Sequence, residues 1–320
     1  MSAIKKLSIG FITYGEKSAA YLPYFLDSLF CQTYSDFNVL AVDCSNDGGR
    51  QNIEILEKYP EIKIISHGAN FGFGKSFNLM INESIKNGAE YFLALNPDML
   101  LEPDFVKKIL NAIESNNTLG SVSPKIYKWN FISKNENAKT NIIDSCGIVL
   151  KSGLRFFDLG QGQVDGGQFD KAKILGPSGA AAMYRIKALE KIRSNNQYFD
   201  ERMFMYKEDC DLAYRLFLAG WESKLAVDAK IYHDRTAVGA GESGIKIALN
   251  RKKKSRQVKR WSLVNQLIIY KKFWHLQSSV SRFAIARQIF LMFIFSFVFE
   301  QYLLIEFFKI LHLKVKKYQV

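Results

Sequence analysis

The sequence predicts an α/β protein with a mostly parallel sheet flanked by helices, followed by a C-terminal helical extension. Short apolar runs alternate with amphipathic helical stretches up to about residue 115, the pattern of a sheet covered on both faces. The composition, 48% hydrophobic and 23% charged, is typical of a chain with a packed core. Beyond residue 244 the chain becomes basic and then aromatic and apolar, which predicts a separate C-terminal region.

Each element of the first half follows from a local signal. Short apolar runs predict buried strands at residues 7–13, 37–43, 62–66 and 91–96. Helical periodicity predicts helices at residues 18–30, 51–58 and 75–87, and Pro103 opens a fourth that ends near residue 115. Ligands of such sheets bind beyond the carboxyl ends of the strands, so we expect chemistry at residues 13–16, 43–47, 67–71 and 96–98.

The second half of the sequence is less regular. The pattern weakens between residues 121 and 167, and the glycine-rich stretch 160–167 predicts a mobile loop. Helical and strand signals return between residues 173 and 232. We therefore predict one domain over residues 1–240, in halves of about 1–120 and 121–240, and a basic, aromatic-apolar helical region over residues 241–320.

The net charge of +13 is concentrated in one tract. Between residues 243 and 299 no residue is acidic and twelve are Lys or Arg, so the rest of the chain is nearly neutral. Such a tract favours binding to an anionic lipid surface or to a nucleic acid. A nucleic-acid-binding protein is the weaker hypothesis, because the basic residues at 251–260 are not accompanied by stacking aromatics on the α/β body or by a known binding motif.

The run 289–299 contains eleven residues without a charge. A spanning helix needs about 20 apolar residues, so the run predicts an interfacial helix beside the basic cluster at 252–260. The alternatives are a core helix packed on the first domain and a dimer interface. The four cysteines are scattered and the N-terminus shows no signal-peptide pattern, which suits a reducing cytosol. We expect a peripheral protein at the cytoplasmic face of the inner or plasma membrane.

Two carboxylates follow predicted strands. Asn96-Pro97-Asp98 ends the fourth strand, where a carboxylate can coordinate Mg²⁺ or Mn²⁺ beside phosphates. A strand-ending turn explains these three residues equally well when they are taken alone. Asp43 ends the second strand and can accept hydrogen bonds from a base or a ribose, although an Asx turn is the better interpretation of Asp43 alone.

Gly72 precedes a predicted helix that begins at Lys75. Glycines before a helix N-terminus let an anion approach the backbone, and Lys75 adds a charge nearby. The stretch is not a Walker A loop, because position 69 is Ala69 where that motif needs glycine.

Three acidic residues lie within four positions at Glu208, Asp209 and Asp211. One of these carboxylates can deprotonate a hydroxyl as a general base, whereas acids in a first helical turn also simply favour the helix dipole. His233 follows another apolar strand. A lone histidine is more often a satisfied polar residue than a ligand, so His233 gains weight only if it meets Asp98.

Taken together, these residues resemble the family-2 glycosyltransferases of the Rossmann-like GT-A fold, in the bacterial rhamnosyltransferase-like branch that builds surface polysaccharides. The similar segments occur in the family's order: Ile12-Thr13-Tyr14, Val42-Asp43-Cys44-Ser45, Asn70-Phe71-Gly72-Phe73-Gly74 with Asn78, Asn96-Pro97-Asp98, Gly176-Pro177-Ser178-Gly179-Ala180, 199–215 and His233. Gly15, Cys44 and Asn96 depart from the family pattern, which has Asn, Asn and Asp there.

The resemblance implies an inverting transfer of a sugar from a nucleotide diphosphate. Its catalytic base would be Asp209, with Glu208 as the alternative, and Asp98 and His233 would hold a divalent cation, Mg²⁺ or Mn²⁺. The other implied roles are nucleotide-sugar binding in the first half by Thr13, Tyr14, Asp43, Gly72, Lys75 and Asn96, and acceptor binding in the second half by Ser178 and Gly179. The implied donor is dTDP-rhamnose, with UDP-hexose or UDP-galactofuranose as alternatives.

The implied acceptor is a lipid-linked saccharide, on a polyprenyl diphosphate, in O-antigen or capsule-like synthesis. An anionic membrane surface is the third expected partner, and no nucleic acid is expected. A catalytically inactive nucleotide-binding scaffold is a further alternative, against which the joint presence of Asp98, Asp209 and His233 argues.

Overall fold

The computed structural model describes residues 4–46, 49–66, 68–131, 139–235, 251 and 254–319. The predicted domain boundary near residue 240 therefore lies outside the described residues, as do Asp47 and His67 at two of the strand ends where chemistry was expected.

The elements alternate along the first half of the chain and become more irregular afterwards. The strands are β1 (Leu7–Thr13), β2 (Phe37–Asp43), β3 (Ile62–Ser66), β4 (Tyr91–Leu95), β5 (Met99–Leu101), β6 (Leu119–Trp129), β7 (Lys139–Ser145), β8 (Ile148–Lys151), β9 (Arg155–Asp158), β10 (Ala181–Arg185) and β11 (Glu222–His233). The α-helices are α1 (Gly15–Phe30), α2 (Arg50–Leu56), α3 (Gly72–Lys86), α4 (Phe105–Glu114), α5 (Ile186–Ile192), α6 (Glu208–Leu218), α7 (Arg256–Phe273), α8 (Ser279–Phe299) and α9 (Leu304–His312).

The described strands form a nine-stranded sheet in the order β3-β2-β1-β4-β10-β6-β11-β5, with β7 beside β6, and a separate β8-β9 hairpin. Strands β3, β2, β1 and β4 are parallel neighbours, as are β6 and β11, whereas β10, β5 and β7 pair antiparallel to their neighbours. The predicted α/β class with a mostly parallel sheet is confirmed. Because β1, β2, β4 and β11 run the same way, their carboxyl ends meet at one edge.

Helices cover both faces of the sheet. On one face α1 and α4 contribute Phe25 and Ile109 to a core with the side chains of β1, β4 and β6. On the other face α3 and α6 contribute Phe77 and Leu212 to a second core. These apolar layers fix the sheet edge on which the polar strand ends lie.

The weakly patterned stretch after residue 121 contains a long strand, β6, whose Lys125 side chain is only 4% exposed. Lys125 pairs with Asp165 and Asp170, each at 2.7 Å, so a buried charge interrupts the apolar pattern that predicts strands. Residues 160–167 form a loop, as expected, and its mobility stays a prediction. Asp165 anchors this segment to Lys125, and Gly162 donates a backbone hydrogen bond to Ile143 at 2.8 Å.

Helix α7 packs on the α/β body. Leu267, Ile268 and Phe273 are buried against side chains of β8, α6 and the neighbouring loops. Lys272 forms ion pairs with Asp211 at 2.7 Å and with Asp200 at 3.1 Å. This helix therefore ties the C-terminal region to α6.

Helix α8 differs from α7 in its surroundings. It is the one described helix that is long and apolar enough to cross a membrane, and only 11% of its most apolar window is buried. It has 21 residues rather than the eleven of the uncharged run, because Arg282 and Arg287 lie within the helix instead of ending it. Length and composition thus allow a span, where the run alone predicted an interfacial helix.

Part of the basic tract is neutralised by acids that follow it in the sequence. Glu300 pairs with Arg251 at 2.6 Å and with Lys259 at 3.1 Å, and Glu306 pairs with Arg260 at 2.9 Å. These contacts hold α7 against α8 and α9. They leave the tract less available to external anions than its sequence implies.

Candidate active site

A cleft of about 620 Å³ lies at the carboxyl ends of β1, β4 and β11, and the residues around the starts of α6 and α7 form its outer wall. It is lined by nine of the twelve predicted site residues: Tyr14, Gly72, Asn96, Asp98, Ser178, Gly179, Glu208, Asp209 and His233. Thr13, Asp43 and Lys75 are not part of its described lining. The structure thus brings together residues that are far apart in the sequence of the α/β body, from Tyr14 to His233.

Asp98 and His233 meet in this cleft. The antiparallel pairing of β5 with β11 places Met99 opposite His233, which brings the carboxylate of Asp98 to 3.3 Å from the imidazole Nε2. The other ring nitrogen, Nδ1, lies 2.9 Å from Asp144 Oδ2. A carboxylate behind a histidine fixes its ring, as in many metal sites.

His233 is buried, whereas the Asp98 side chain is 19% exposed. Asp98 Oδ1 is inaccessible to solvent, and its contact is the 3.3 Å ion pair with His233 Nε2. Burial lowers the pKa of His233, but Asp98 and Asp144 outweigh this effect and raise the pKa to about 9. At neutral pH the imidazolium therefore balances part of the charge of the two carboxylates, and a metal ion bound through Nε2 would replace its proton.

Asp209 faces the cleft from the first turn of α6. Its Oδ2 accepts a hydrogen bond from the Gly179 backbone N–H at 2.9 Å, and Oδ1 accepts one from Cys210 N–H at 2.7 Å. A Cβ atom at residue 179 would lie 3.3 Å from both Asp209 and Phe73, so the glycine permits the close approach. The predicted base and the predicted acceptor loop are in direct contact.

Glu208 is the more buried of the two adjacent acids, at 5% exposure. Burial, reinforced by the neighbouring Asp209 charge, raises the pKa of Glu208 well above its ordinary value. Its Oε2 is buried without a hydrogen-bond partner. A proton held on Glu208 favours Asp209 as the acceptor of a further proton.

The backbone before these acids is in an unusual conformation. Tyr206 and Lys207 have φ values of 75° and 68°, a left-handed region that few non-glycine residues occupy. Asn265 on α7 donates hydrogen bonds to the carbonyls of Met205 and Tyr206 at 2.9 and 2.7 Å. Helix α7 thus stabilises the turn that delivers Glu208 and Asp209 to the cleft.

Asp43 lies beneath the cleft and is fully buried. Its carboxylate accepts hydrogen bonds from Thr13 Oγ1 at 2.6 Å, from Ser45 and from Asn52 Nδ2 at 2.9 Å. A Cβ atom at residue 49 would lie 1.9 Å from Asp43 Oδ1, so the chain needs Gly49 there. These contacts correspond to the turn interpretation of Asp43, and nucleotide binding by Thr13 or Asp43 stays a prediction.

The glycine turn before α3 uses its backbone donors internally. Gly72 N–H donates to Asn70 Oδ1 at 3.0 Å, and Phe73 N–H donates to the Phe204 carbonyl at 2.9 Å. Lys75 is exposed, with its ammonium 4.6 Å from the centre of the Phe71 ring. Anion binding at this helix start, and by Lys75, stays a prediction.

Several cleft residues were missed by sequence reasoning. Arg235 lines the cleft and bridges Asp144 and Asp158 at 3.3 and 3.0 Å. Its position two residues after His233 was an available signal. Trp261 reaches the same cleft from α7, and nothing in the local sequence links that helix to the active site.

Known proteins share this arrangement at the level of family and fold. A family model described as glycosyl transferase family 2 matches residues 8–193, more than half of the chain. An N-acetylglucosaminyl-diphospho-decaprenol L-rhamnosyltransferase, found in two strains of Mycobacterium tuberculosis, is 25% identical over 249 residues, which is 67% of this chain and 72% of that protein.

Two solved structures are similar in fold. GalNAc-T7 with UDP, GalNAc and Mn²⁺ has a TM-score of 0.58 at 11% identity, covering 86% of this chain and 49% of that one. The mannosyltransferase PcManGT from Pyrobaculum calidifontis, with GDP-Man and Mn²⁺, has a TM-score of 0.49 at 15% identity, covering 95% of this chain and 86% of that one. The family match includes β1 and β4 of the cleft, and this chain belongs to glycosyl transferase family 2, with the GT-A fold.

Proposed function

We propose that this glycosyltransferase transfers rhamnose from dTDP-rhamnose, with inversion, to a saccharide on a polyprenyl diphosphate during cell-surface polysaccharide synthesis. The observation that carries the proposal is that Asp98, His233 and Asp209, which are distant in sequence, line one cleft. The similarity to a rhamnosyltransferase named for an N-acetylglucosaminyl-diphospho-decaprenol substrate supports the choice of donor and acceptor.

Asp209 is positioned to act as the general base. Its Oδ2 is held by the Gly179 N–H, and its carboxylate lines the cleft. In the proposed step it takes the proton of an acceptor hydroxyl while that oxygen forms a bond to the anomeric carbon. The bond from this carbon to the diphosphate oxygen breaks on the opposite face, so the configuration inverts. General-base assistance of this kind is worth about 10²–10⁴-fold in rate.

Asp98 and His233 fit a divalent cation. The Asp98 carboxylate and His233 Nε2 lie 3.3 Å apart in the cleft, and Asp144 orients the imidazole of His233. No group of three or more His, Cys, Asp or Glu in the described chain has metal-holding geometry, so phosphate oxygens of the donor would supply further ligands. A bound Mg²⁺ or Mn²⁺ would neutralise charge on the leaving diphosphate. Arg235 adds a positive side chain to the same lining.

The donor and metal can be identified in one experiment. Thermal unfolding of the full chain is measured with dTDP, UDP and GDP sugars, each with Mn²⁺, Mg²⁺ or a chelator. We expect dTDP-rhamnose with a divalent cation to give the largest rise in unfolding temperature, because only bound ligand stabilises the folded state. A larger rise with UDP-hexose or UDP-galactofuranose would contradict dTDP-rhamnose as the donor. An equal rise in unfolding temperature with chelator would contradict the need for a metal.

Membrane attachment through α8 completes the proposal. Phe290 and Phe297 are 63% and 58% exposed on a helix that is mostly unburied. Exposed aromatic side chains on such a helix gain free energy by entering the lipid interface, and the acceptor would be presented there. The paired cations Arg251, Lys259 and Arg260 argue against the nucleic-acid alternative.

Flotation with anionic vesicles tests the attachment. The double substitution of Phe290→Ser and Phe297→Ser should reduce the vesicle-bound fraction. Phe217→Ser is the matched control, because Phe217 is 56% exposed on α6, outside α8. Equal recovery of the double variant and the wild-type protein would contradict attachment through this helix.

A further inference from the structure

Two aromatic side chains from different regions stack in the wall of the cleft. Phe204 precedes α6 and Trp261 lies in α7; their ring centroids are 5.0 Å apart and their planes differ by 26°. Both rings are half-buried, and both line the cleft that contains Asp98 and Asp209. Both residues also lie beyond residue 193, where the match to the family model ends.

The two rings are held by contacts on both sides of the pair. The carbonyl of Phe204 accepts a hydrogen bond from Phe73 N–H at 2.9 Å, which fixes the segment against α3. The next two carbonyls are bound by Asn265, one turn of α7 beyond Trp261. The aromatic pair is therefore a preorganised surface, which keeps the entropic cost of binding a ligand low.

Phe204 lies between Trp261, on which it stacks, and Gly72, where a Cβ atom would lie 2.7 Å from the Phe204 ring, so the outer face of Trp261 is the face of the pair that suits a sugar ring. One face of a pyranose presents C–H groups, which gain dispersion energy against an aromatic face while the hydroxyls stay hydrogen-bonded to polar neighbours. Gln257, exposed on the same rim of α7, provides such a polar neighbour.

The position of the pair indicates which sugar it would bind. Phe204 is on the segment that delivers the proposed base, and Phe204, Trp261 and Asp209 line the same cleft. Trp261 lies on the helix that leads into α8, the apolar helix proposed to face the membrane. Lys259, two residues before Trp261, pairs at 3.1 Å with Glu300 at the end of α8, so this rim lies beside the apolar helix.

We infer that Phe204 and Trp261 form the acceptor subsite, by stacking on the pyranose ring of the lipid-linked saccharide. This inference rests on the proposed function. Trp261 is then the residue through which the C-terminal region takes part in substrate recognition.

Binding measurements on the full chain test the inference without requiring turnover. The probe is GlcNAc diphosphate with a short alkyl chain, titrated calorimetrically in the presence of dTDP and Mn²⁺. Trp261→Ala should weaken binding of the probe by about tenfold, and Trp261→Phe should weaken it much less, because a flat ring remains. The affinity for dTDP should not change in either variant. Trp274→Ala is the matched control, since Trp274 is 39% exposed and lies outside the cleft lining.

A second variant and a second probe separate the outcomes. Phe204→Leu should weaken probe binding in the same direction, and an alkyl diphosphate without the sugar should bind wild type and Trp261→Ala equally. Weaker dTDP binding with unchanged probe binding would overturn the inference and assign the aromatic pair to the nucleobase. Unchanged binding of both ligands, or a wild-type protein that does not bind the probe, would also overturn it. Binding of the probe without any sugar transfer would support the acceptor subsite and contradict the proposed reaction.

Discussion

Asp43 ends β2 and Asp98 follows β4 at the same edge of the sheet, yet the two carboxylates differ in their hydrogen-bond partners. The carboxylate of Asp43 accepts hydrogen bonds from Thr13, Ser45 and Asn52 and is fully buried. Asp98 has no such network: its buried oxygen Oδ1 lies 3.3 Å from the imidazole Nε2 of His233 in an ion pair at the cleft. One carboxylate is saturated by hydrogen bonds beneath the cleft, whereas the other pairs with one histidine and lines the cleft.

This difference distinguishes stability from function. A buried carboxylate with all its hydrogen bonds stabilises the strand ends that it joins. A buried carboxyl group that lacks such hydrogen bonds costs free energy in the isolated protein, and a chain that keeps it gains in ligand binding or catalysis. Asp98 and Glu208 line the cleft, whereas Asp43 does not. Substitutions at the three acids test the distinction.

The largest effect is expected from Asp98→Asn. We expect sugar transfer to fall by at least about a hundredfold, because a neutral amide stabilises a cation and the leaving diphosphate much less than a carboxylate does. The unfolding temperature should change little, because Asp98 is part-exposed and His233 keeps its contact with Asp144. Steady-state kinetics and thermal unfolding measure the two effects. A loss of stability with unchanged activity would place Asp98 in the same class as Asp43.

Asp43→Ala should act in the opposite way. The substitution leaves the buried hydrogen-bond donors of Thr13, Ser45 and Asn52 without an acceptor. The free energy of unfolding should therefore fall by about 3 kcal/mol. Chemical denaturation measures the loss. Asp36→Ala, at an exposed residue just before β2, is the control and should change stability little. Full stability of Asp43→Ala would show that the network beneath the cleft is not structural.

A smaller, pH-dependent effect is expected from Glu208→Gln. Burial raises the pKa of Glu208 above its ordinary value of 4.5, so the folded protein keeps a proton that the unfolded chain releases above that pH. Folding is then disfavoured increasingly as the pH rises from 4.5 toward the folded-state pKa, and glutamine removes this dependence. At neutral pH the variant should be more stable by about 1 kcal/mol, with no gain below pH 4.5.

The same variant also separates the two candidate bases. Glu208→Gln should retain sugar transfer if Asp209 is the base. Glu222→Gln, exposed at the start of β11, is the stability control. A gain that is the same at all pH values would contradict a protonated Glu208.

The sequence predicted the sheet well because its parallel strands are buried on both faces and appear as continuous apolar runs. Helices α1 and α3 begin three residues earlier than predicted, at Gly15 and Gly72. Both glycines have positive φ values, 62° and 72°, and their local signal is that of a loop. Strand β6 was obscured by Lys125, whose burial depends on partners some 40 residues away.

The candidate site was predictable where a short motif carries the chemistry. Asp98, Asp209 and His233 stand at strand or helix ends, and the structure places all three on one cleft. Asp144 and Trp261 could not be predicted, because their roles depend on the packing of β7 behind His233 and of α7 against the segment before α6. Such contacts are properties of the tertiary structure and leave no local pattern.

The central claim is that Asp209 removes a proton from the acceptor in a cleft whose donor binding depends on other residues. Single-turnover transfer and nucleotide affinity of Asp209→Asn test it directly. We expect transfer to fall by about 10²–10⁴-fold while the dissociation constant for the nucleotide stays within about twofold of wild type. Near-normal turnover of Asp209→Asn would contradict the account.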